Sequence, residues 1–290
     1  MAVIPRRRYT VPLPTGGSLA LGERTLVMGV INVTPDSFSD GGLLFDPARA
    51  IDAGMRMADE GADLVDVGGE STRPGAAPVD EGEEQRRLLP VVEGLAARLR
   101  VPVSVDTYRA STAAAALTAG AAIINDVSGL QYDPGLAQVV ATRQAPVVLM
   151  HARGRSRDMY AQASYVDVVD EVLDELRASM AFAVRAGVAA DRIILDPGLG
   201  FAKEVPHSFE VLGRLEAFAD LDRPLLVGPS RKSFLARPLP ATVAPAERDW
   251  ATAAAVTAAV LAGAHIVRVH AVREMVQVVR VADEIRRYHS

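Results

Sequence analysis

Eight apolar runs in this sequence each end in a polar residue able to do chemistry: Asn32, Glu70-Ser71-Thr72-Arg73, Asp106, Asn125-Asp126, His151, Asp196, Ser230-Arg231-Lys232, and Arg268 with His270. A single Asp or Asn after such a run ordinarily caps a turn or helix, because these side chains bond their own backbone well. Eight in succession ask for a further reason. Gathered at one place they would supply acids and an amide (Asp106, Asp196, Asn125), three cations (Arg73, Lys232, Arg268) and two imidazoles. Inward carboxylates and an amide suit a flat heterocycle with several N–H groups, since a carboxylate accepts two parallel hydrogen bonds from an amidine-like edge. Arg268 and His270 alternate along one run and so face the same side, just before a helix start near Val272. Such a place holds an anion by charge and by free backbone N–H groups. Asn32 offers an amide oxygen to a Mg²⁺ ion carried by a diphosphate, because Mg²⁺ takes oxygen ligands and keeps most of its waters. The competing account is that Arg268 packs in an ion pair within a barrel layer.

The elements that must position these residues repeat. A short β-branched run, a polar loop and an amphipathic or Ala-rich segment follow one another eight times. Strands are expected at 26–33, 64–68, 103–106, 122–127, 147–151, 193–196, 225–228 and 266–270. Helices are expected at 47–60, 83–99, 110–119, 135–142, 165–186, 208–219, 248–263 and 273–288. Gly61, Gly120, Gly187 and Gly263 stand where a helix should stop before the next strand. Eight alternations with continuous apolar strands predict an α/β protein, a single closed (β/α)8 TIM barrel over 25–290. A doubly wound open sheet is the second choice, weakened because no G-x-G-x-x-G follows the first strand. Residues 1–24 alternate loosely around Pro14-Thr15-Gly16-Gly17 and predict a short N-terminal β-hairpin extension covering one end of the core. After the first strand, Thr34-Pro35-Asp36 and Asp40-Gly41-Gly42 are turn chemistry, yet they enclose Phe38, which reads as a ligand-handling loop.

Composition narrows the classes further. Of 290 residues, 49% are hydrophobic and 23% charged, and the net charge of −5 is spread along the chain, which gives nucleic acid no basic surface. Arg6-Arg7-Arg8 is a lone basic run read as a solvated end. With no cysteine, disulfides, thiolate nucleophiles and Cys-ligated metals are excluded, and a reducing cytoplasm is expected. The first residues lack the apolar core of a signal peptide, and the Ala/Val-rich tract at 251–264 is too short to span a bilayer. The partners expected are small molecules.

Taken together, MGVINVTPDSFSDGG (28–42), GADLVDVGGESTRPGA (61–76), VSVDT (103–107), INDVSG (124–129), LDPGLGFAK (195–203), GPSRKSF (228–234) and RVH (268–270) resemble the dihydropteroate synthases. The resemblance runs from the first barrel strand to the last. It implies a folate-pathway transferase joining a dihydropterin-methyl diphosphate to p-aminobenzoate, a sulfonamide target with Mg²⁺ as cofactor and a homodimeric state. It assigns Asp106, Asn125, Asp196 and Lys232 to the pterin, with Phe201 and Met150 lining the slot. The diphosphate falls to Asn32, Arg268, Val269 and His270, with Asn32 on the metal. Phe38, Thr72, Arg73, Pro74 and Ser233 shape the p-aminobenzoate site, and Arg268, His270, Lys232 and Asp106 carry catalysis. Two departures stand out: Ala271 replaces the Asp the family usually has after RVH, and Ala152-Arg153-Gly154 replaces its usual Met and Gly-containing turn. A pterin-binding methyl-transfer module shares the barrel and the pterin carboxylates. It is separated from a synthase by the pairing of Ser71-Thr72-Arg73-Pro74-Gly75 with Ser230-Arg231-Lys232.

Overall fold

The computed structural model describes residues 5–34, 46–71, 75 and 79–288. Phe38, Thr72, Arg73, Pro74 and His289 lie outside the described residues. The chain begins with an antiparallel hairpin, β1 (Tyr9–Pro12) and β2 (Ser18–Leu21), in which Tyr9 faces Leu21 and Pro12 faces Ser18. Eight parallel strands follow: β3 (Leu26–Asn32), β4 (Leu64–Gly68), β5 (Val103–Asp106), β6 (Ile123–Asp126), β7 (Val147–Met150), β8 (Ile193–Asp196), β9 (Leu226–Val227) and β10 (Ile266–Val269). Their order, 8-7-6-5-4-3-10-9, leaves β8 and β9 as neighbours across the seam. The seam is bridged at Leu195 and Leu225, and the Leu195 N–H donates to Pro224 O at 2.9 Å, so the sheet is a barrel and the open-sheet alternative falls.

Helices α1 (Pro47–Asp59), α2 (Glu81–Ala96), α3 (Ala110–Thr118), α4 (Gly135–Thr142), α5 (Val168–Arg185), α6 (Val205–Gly213), α7 (Asp249–Leu261) and α8 (Val272–Arg287) surround it. Their starts are set by side chains. Asp46, Asp80 and Asp167 accept backbone N–H groups of the first turns of α1, α2 and α5. The expected helix at 165–186 therefore begins at Val168, after its cap. The expected helix at 208–219 divides instead: α6 starts early, at Val205, where Glu204 and His207 cap each other reciprocally, and beyond Gly213 the chain tightens into a 3₁₀ turn, Leu215–Leu221. Gly61, Gly120, Gly187 and Gly263 take φ between +98° and +105°, the left-handed stop expected of them. The expected strand at 225–228 keeps only Leu226 and Val227 paired as strand, being preceded by Pro224 and followed by Gly228-Pro229.

The alternation of strand side chains produces two apolar layers. Outward residues such as Val27, Ile31, Val65, Val67 and Val105 pack against the helices. Inward residues Met28, Leu64, Ile123, Val148, Ile194, Leu226 and Ile266 form a separate plug at the amino ends of the strands, and Val11, Leu19 and Leu21 of the hairpin cover it. The hairpin thus closes the bottom of the barrel as expected. Above this plug the inward positions turn polar, and chemistry is confined to the carboxyl end.

Candidate active site

The alternation that builds the plug also decides which polar residues enter the barrel. Going up from Leu64, Ile123, Ile194 and Ile266, the next inward positions are Asp66, Asn125, Asp196 and Arg268. Asp106 ends β5 beside Gly68 and Asn125 in register. Arg268 lies at the centre: its Nε donates to Asp66 Oδ2 at 2.7 Å and its Nη2 to Asp106 Oδ2 at 3.1 Å. Asn125 Nδ2 donates to the same Asp66 oxygen at 3.1 Å. The barrel-layer ion pair raised as a competing role for Arg268 is therefore present, and it is part of the site.

Two carboxylates against one guanidinium leave this buried group with an excess of negative charge. Burial pushes Asp106 up to about 7, with Asp66, Glu84 and Asp126 pushing the same way and Arg268 opposing them. Arg268 holds its proton more firmly than usual, since Asp66, Asp106 and Asp196 outweigh the effect of its burial. Asp196 is fully enclosed at the end of β8; burial raises its proton affinity, while Lys232 and the Gly198 N–H restrain it. That N–H donates to Asp196 Oδ1 at 2.7 Å. Lys232 follows the last turn of the β9 loop, with Nζ bonded to Leu199 O and 4.6 Å from the centre of the Phe201 ring. Burial and Arg268 lower it to about 8, against the pull of Asp196 and Asp106.

An apolar patch roofs these charges. Met150 and Val127 are buried together with Ala152, and Tyr108 and Phe201 pack on them. A ring between this patch and the carboxylates would find one dry face and a hydrogen-bonding edge, the composition of a ligand slot. Beside it a small cleft is lined by Glu70, Tyr108, Tyr132, Met159 and Phe201 among others.

His270 stands at the rim above Arg268. Ser230 Oγ accepts its backbone N–H at 3.2 Å and lies 2.9 Å from its Nδ1. Ser230 is in turn fixed by its neighbour, because Arg231 takes φ +59°, its Nε and Nη2 each bond Asp249 at 2.8 Å, and its N–H donates to Thr252 Oγ1. The orientation of His270, left open by Ala271, is thus supplied by Ser230. Asn32 ends β3 half-buried at the rim, opposite Gly68. Ser233 is exposed just after Lys232. Val269 faces the other way, fully buried among the helix-packing residues, so only its backbone can meet an anion.

Three expected strand-end residues do not join the group. His151, counted among the converging imidazoles, is buried on the outer side: Nδ1 lies 2.7 Å from Lys203 Nζ and Nε2 2.9 Å from Glu175 of α5. Burial, with Lys203 beside it, lowers it to about 4. Asp126 closes its own turn by accepting from Ser128 and Leu130, the capping role that single acids usually play. Arg231 is committed to Asp249. His207 is a helix cap and His265 bonds Leu225 N–H and Arg7 O, both structural roles. Arg6, read as part of a solvated end, is buried and paired with Asp283 at 3.0 Å. Asp66 and Val127 were not among the expected site residues, and Ser230 was noted only as a strand-end residue without a role. An acid inside the apolar run LVDVG was the available signal for Asp66.

Known proteins resemble the chain in both sequence and fold. A family model described as pterin binding enzyme matches residues 28–270. The chain is 44% identical over 280 residues to the dihydropteroate synthase of Synechocystis sp., covering 96% of each. It is 47% identical over 260 residues to that of Mycobacterium leprae, covering 88% of this chain and 91% of the relative. Among solved structures, Xanthomonas albilineans dihydropteroate synthase with 4-aminobenzoic acid aligns at a TM-score of 0.87 and 41% identity, over 95% of this chain and 98% of that one. The Burkholderia cenocepacia enzyme complexed with 7,8-dihydropteroate aligns at 0.86 and 39%, over 97% of both. The chain belongs to the pterin-binding enzymes, in the dihydropteroate synthase family.

Proposed function

We propose that this transferase condenses (7,8-dihydropterin-6-yl)methyl diphosphate with p-aminobenzoate, giving 7,8-dihydropteroate and diphosphate, by a dissociative substitution. The observation that carries the reading is the inward set Asp106, Asn125, Asp196 and Lys232 beneath the Met150–Val127–Phe201 patch, with Arg268 and His270 at its rim. Asp196 and Asn125 take the N–H groups of the pterin edge, and Lys232 and the apolar patch hold the ring. Arg268 and His270 face the diphosphate. An aromatic amine is neutral at pH 7 and has a usable lone pair, so no strong base or covalent nucleophile is required.

The C–O bond to the diphosphate breaks first, with its electron pair leaving on oxygen. The methylene cation is stabilised by the electron-rich dihydropterin and by the neighbouring Asp106 carboxylate. The amine lone pair then forms the C–N bond, and the surplus proton departs to diphosphate or solvent. Stabilising the departing charge is then the dominant contribution to rate.

The chain's donor set fits a Mg²⁺ that arrives with the diphosphate rather than a resident ion. Asn32 provides one neutral oxygen at the rim, and no group of three or more His, Asp or Glu side chains able to hold a metal exists among the described residues. When bound, the ion neutralises diphosphate charge and improves the leaving group.

A cytoplasmic homodimer completes the reading. Val281 and Ile285 on α8, Tyr288 just beyond its end and Trp250 at the start of α7 are exposed apolar side chains. No described helix is long and apolar enough to cross a membrane. The function is tested by supplying both substrates with Mg²⁺ and following 7,8-dihydropteroate by mass spectrometry. Product is expected with the parent chain and a large loss with Asp196→Asn, which sets an amide donor against a ligand donor at an expected cost of about 2–4 kcal/mol in binding. Unchanged binding by that variant would remove Asp196 from the site.

A further inference from the structure

Asp66 has no task in the reaction as described, yet it is fully buried at the centre of the charged group and touches two of its members. We propose that Asp66 is a positioning residue that sets the hydrogen-bond polarity of the pterin slot, holding the Asn125 carboxamide with its oxygen toward the ligand and fixing the roll of the Arg268 guanidinium. The proposal rests on the pterin reading above and specifies which kind of ring edge Asn125 can meet.

A carboxylate only accepts, so the group of Asn125 that faces it must be the NH₂. The 3.1 Å bond from Nδ2 to Asp66 Oδ2 uses one of the two amide N–H groups and fixes the flip of the carboxamide, so that Oδ1 and the second N–H face the rest of the site in a set order. A ring offering N–H to Oδ1 is accepted, and a ring offering a lone pair to it is rejected. Arg268 Nε bonds the same Oδ2 at 2.7 Å, which turns Nη2 onto Asp106. One oxygen therefore aligns the amide that reads the ring and the cation that faces the leaving group. Asp66 Oδ1 is buried without a hydrogen-bond partner among the described residues. The register reinforces the arrangement: Asp66 is centred in β4, with Gly68 above it, and a Cβ at Gly68 would meet Asp106 Cβ at 3.4 Å.

Exchanging the two residues tests this. In Asp66→Asn, the new amide no longer dictates which end of Asn125 faces it, and 6-hydroxymethylpterin should bind about 10-fold or more weakly by calorimetry, the effect of one misdirected buried hydrogen bond. In Asn125→Asp two carboxylates meet, and binding should fall similarly. The double variant Asp66→Asn/Asn125→Asp restores a donor–acceptor pair between the two positions, although its new amide N–H then meets Arg268 Nε, so it should bind at least about 3-fold tighter than the weaker single variant, a coupling that independent sites do not show. KM for p-aminobenzoate should stay unchanged throughout. Parent-like binding by Asp66→Asn, or a double variant no better than the weaker single one, overturns the proposal. If Asp66→Asn does not fold, the comparison of Asn125→Asp with the double variant decides alone, improved binding supporting the proposal and equal or weaker binding refuting it. Failure of the parent chain to bind the pterin would instead refute the functional reading beneath it.

Discussion

Ser230 shows how a small side chain takes over an orienting role at the rim of this site. Its hydroxyl meets both the backbone N–H and Nδ1 of His270, so Ser230→Ala removes one restraint on the imidazole and one on its backbone while leaving Arg231–Asp249 intact. Turnover should fall by about 10-fold, the value of one or two hydrogen bonds, with little change in melting temperature. Steady-state kinetics and a thermal melt would check it, and unchanged kcat would mean that His270 is held by other contacts. Arg268→Ala acts on the charge itself and should lower turnover by about 10²–10³-fold. At this scale the sequence was informative about residue types and less so about direction. Asn125 and Asp126 are adjacent, as are Met150 and His151, and consecutive strand side chains point to opposite sides. Only the register of the closed barrel shows that Asn125 and Met150 face inward while Asp126 and His151 do not.

At the scale of elements, the strands were legible because their apolar runs are continuous and end in polar residues. Helix starts were less so, since a cap such as Asp80 or Asp167 fixes the first turn more narrowly than helix-forming composition does. The loop after β8 depends on a backbone requirement that periodicity does not reveal. Gly198 has φ +69°, and a Cβ there would sit 2.0 Å from His151 O. Gly198→Ala must displace the loop that supplies an N–H to Asp196 and carries Phe201. Loss of pterin binding together with a destabilisation of about 2 kcal/mol or more is expected from calorimetry and denaturant melts. The hairpin is a second structural dependency. Leu21 is buried in the plug beneath the site, and Leu21→Ala should cost about 2–5 kcal/mol by chemical denaturation, without changing which substrates bind.

For the whole molecule, two buried histidines weaken stability in acid. His151 and His265 are both lowered to about 4, chiefly by burial. In the unfolded chain each titrates near 6.5, so between roughly pH 6.5 and 4 the unfolded state binds more protons and folding stability falls as pH falls. Glu175, lowered to about 2 through bonds from His151 and Arg153 despite its burial, removes further stability below its unfolded value near 4.5. Asp106, raised to about 7, and Asp126, raised to about 6, act in the opposite sense over this range, so the histidine contribution is read by difference: the melting temperature of His265→Gln should fall less, or rise more, than that of the parent chain from pH 7 to 4, if the variant keeps the Leu225 and Arg7 contacts.

The central claim is that this barrel mouth works by stabilising a departing diphosphate, with Arg268 and His270 set above a pterin slot of fixed polarity. Its most direct test is a rapid-quench measurement with dihydropterin-methyl diphosphate, Mg²⁺ and enzyme in excess, with no p-aminobenzoate added. Release of diphosphate in that mixture, with a normal secondary deuterium isotope effect at the methylene and loss of both in Arg268→Ala, is the expected result. If diphosphate appears only after the amine is added and the isotope effect is near unity, bond formation and cleavage are concerted, and Arg268 and His270 serve to bind substrate.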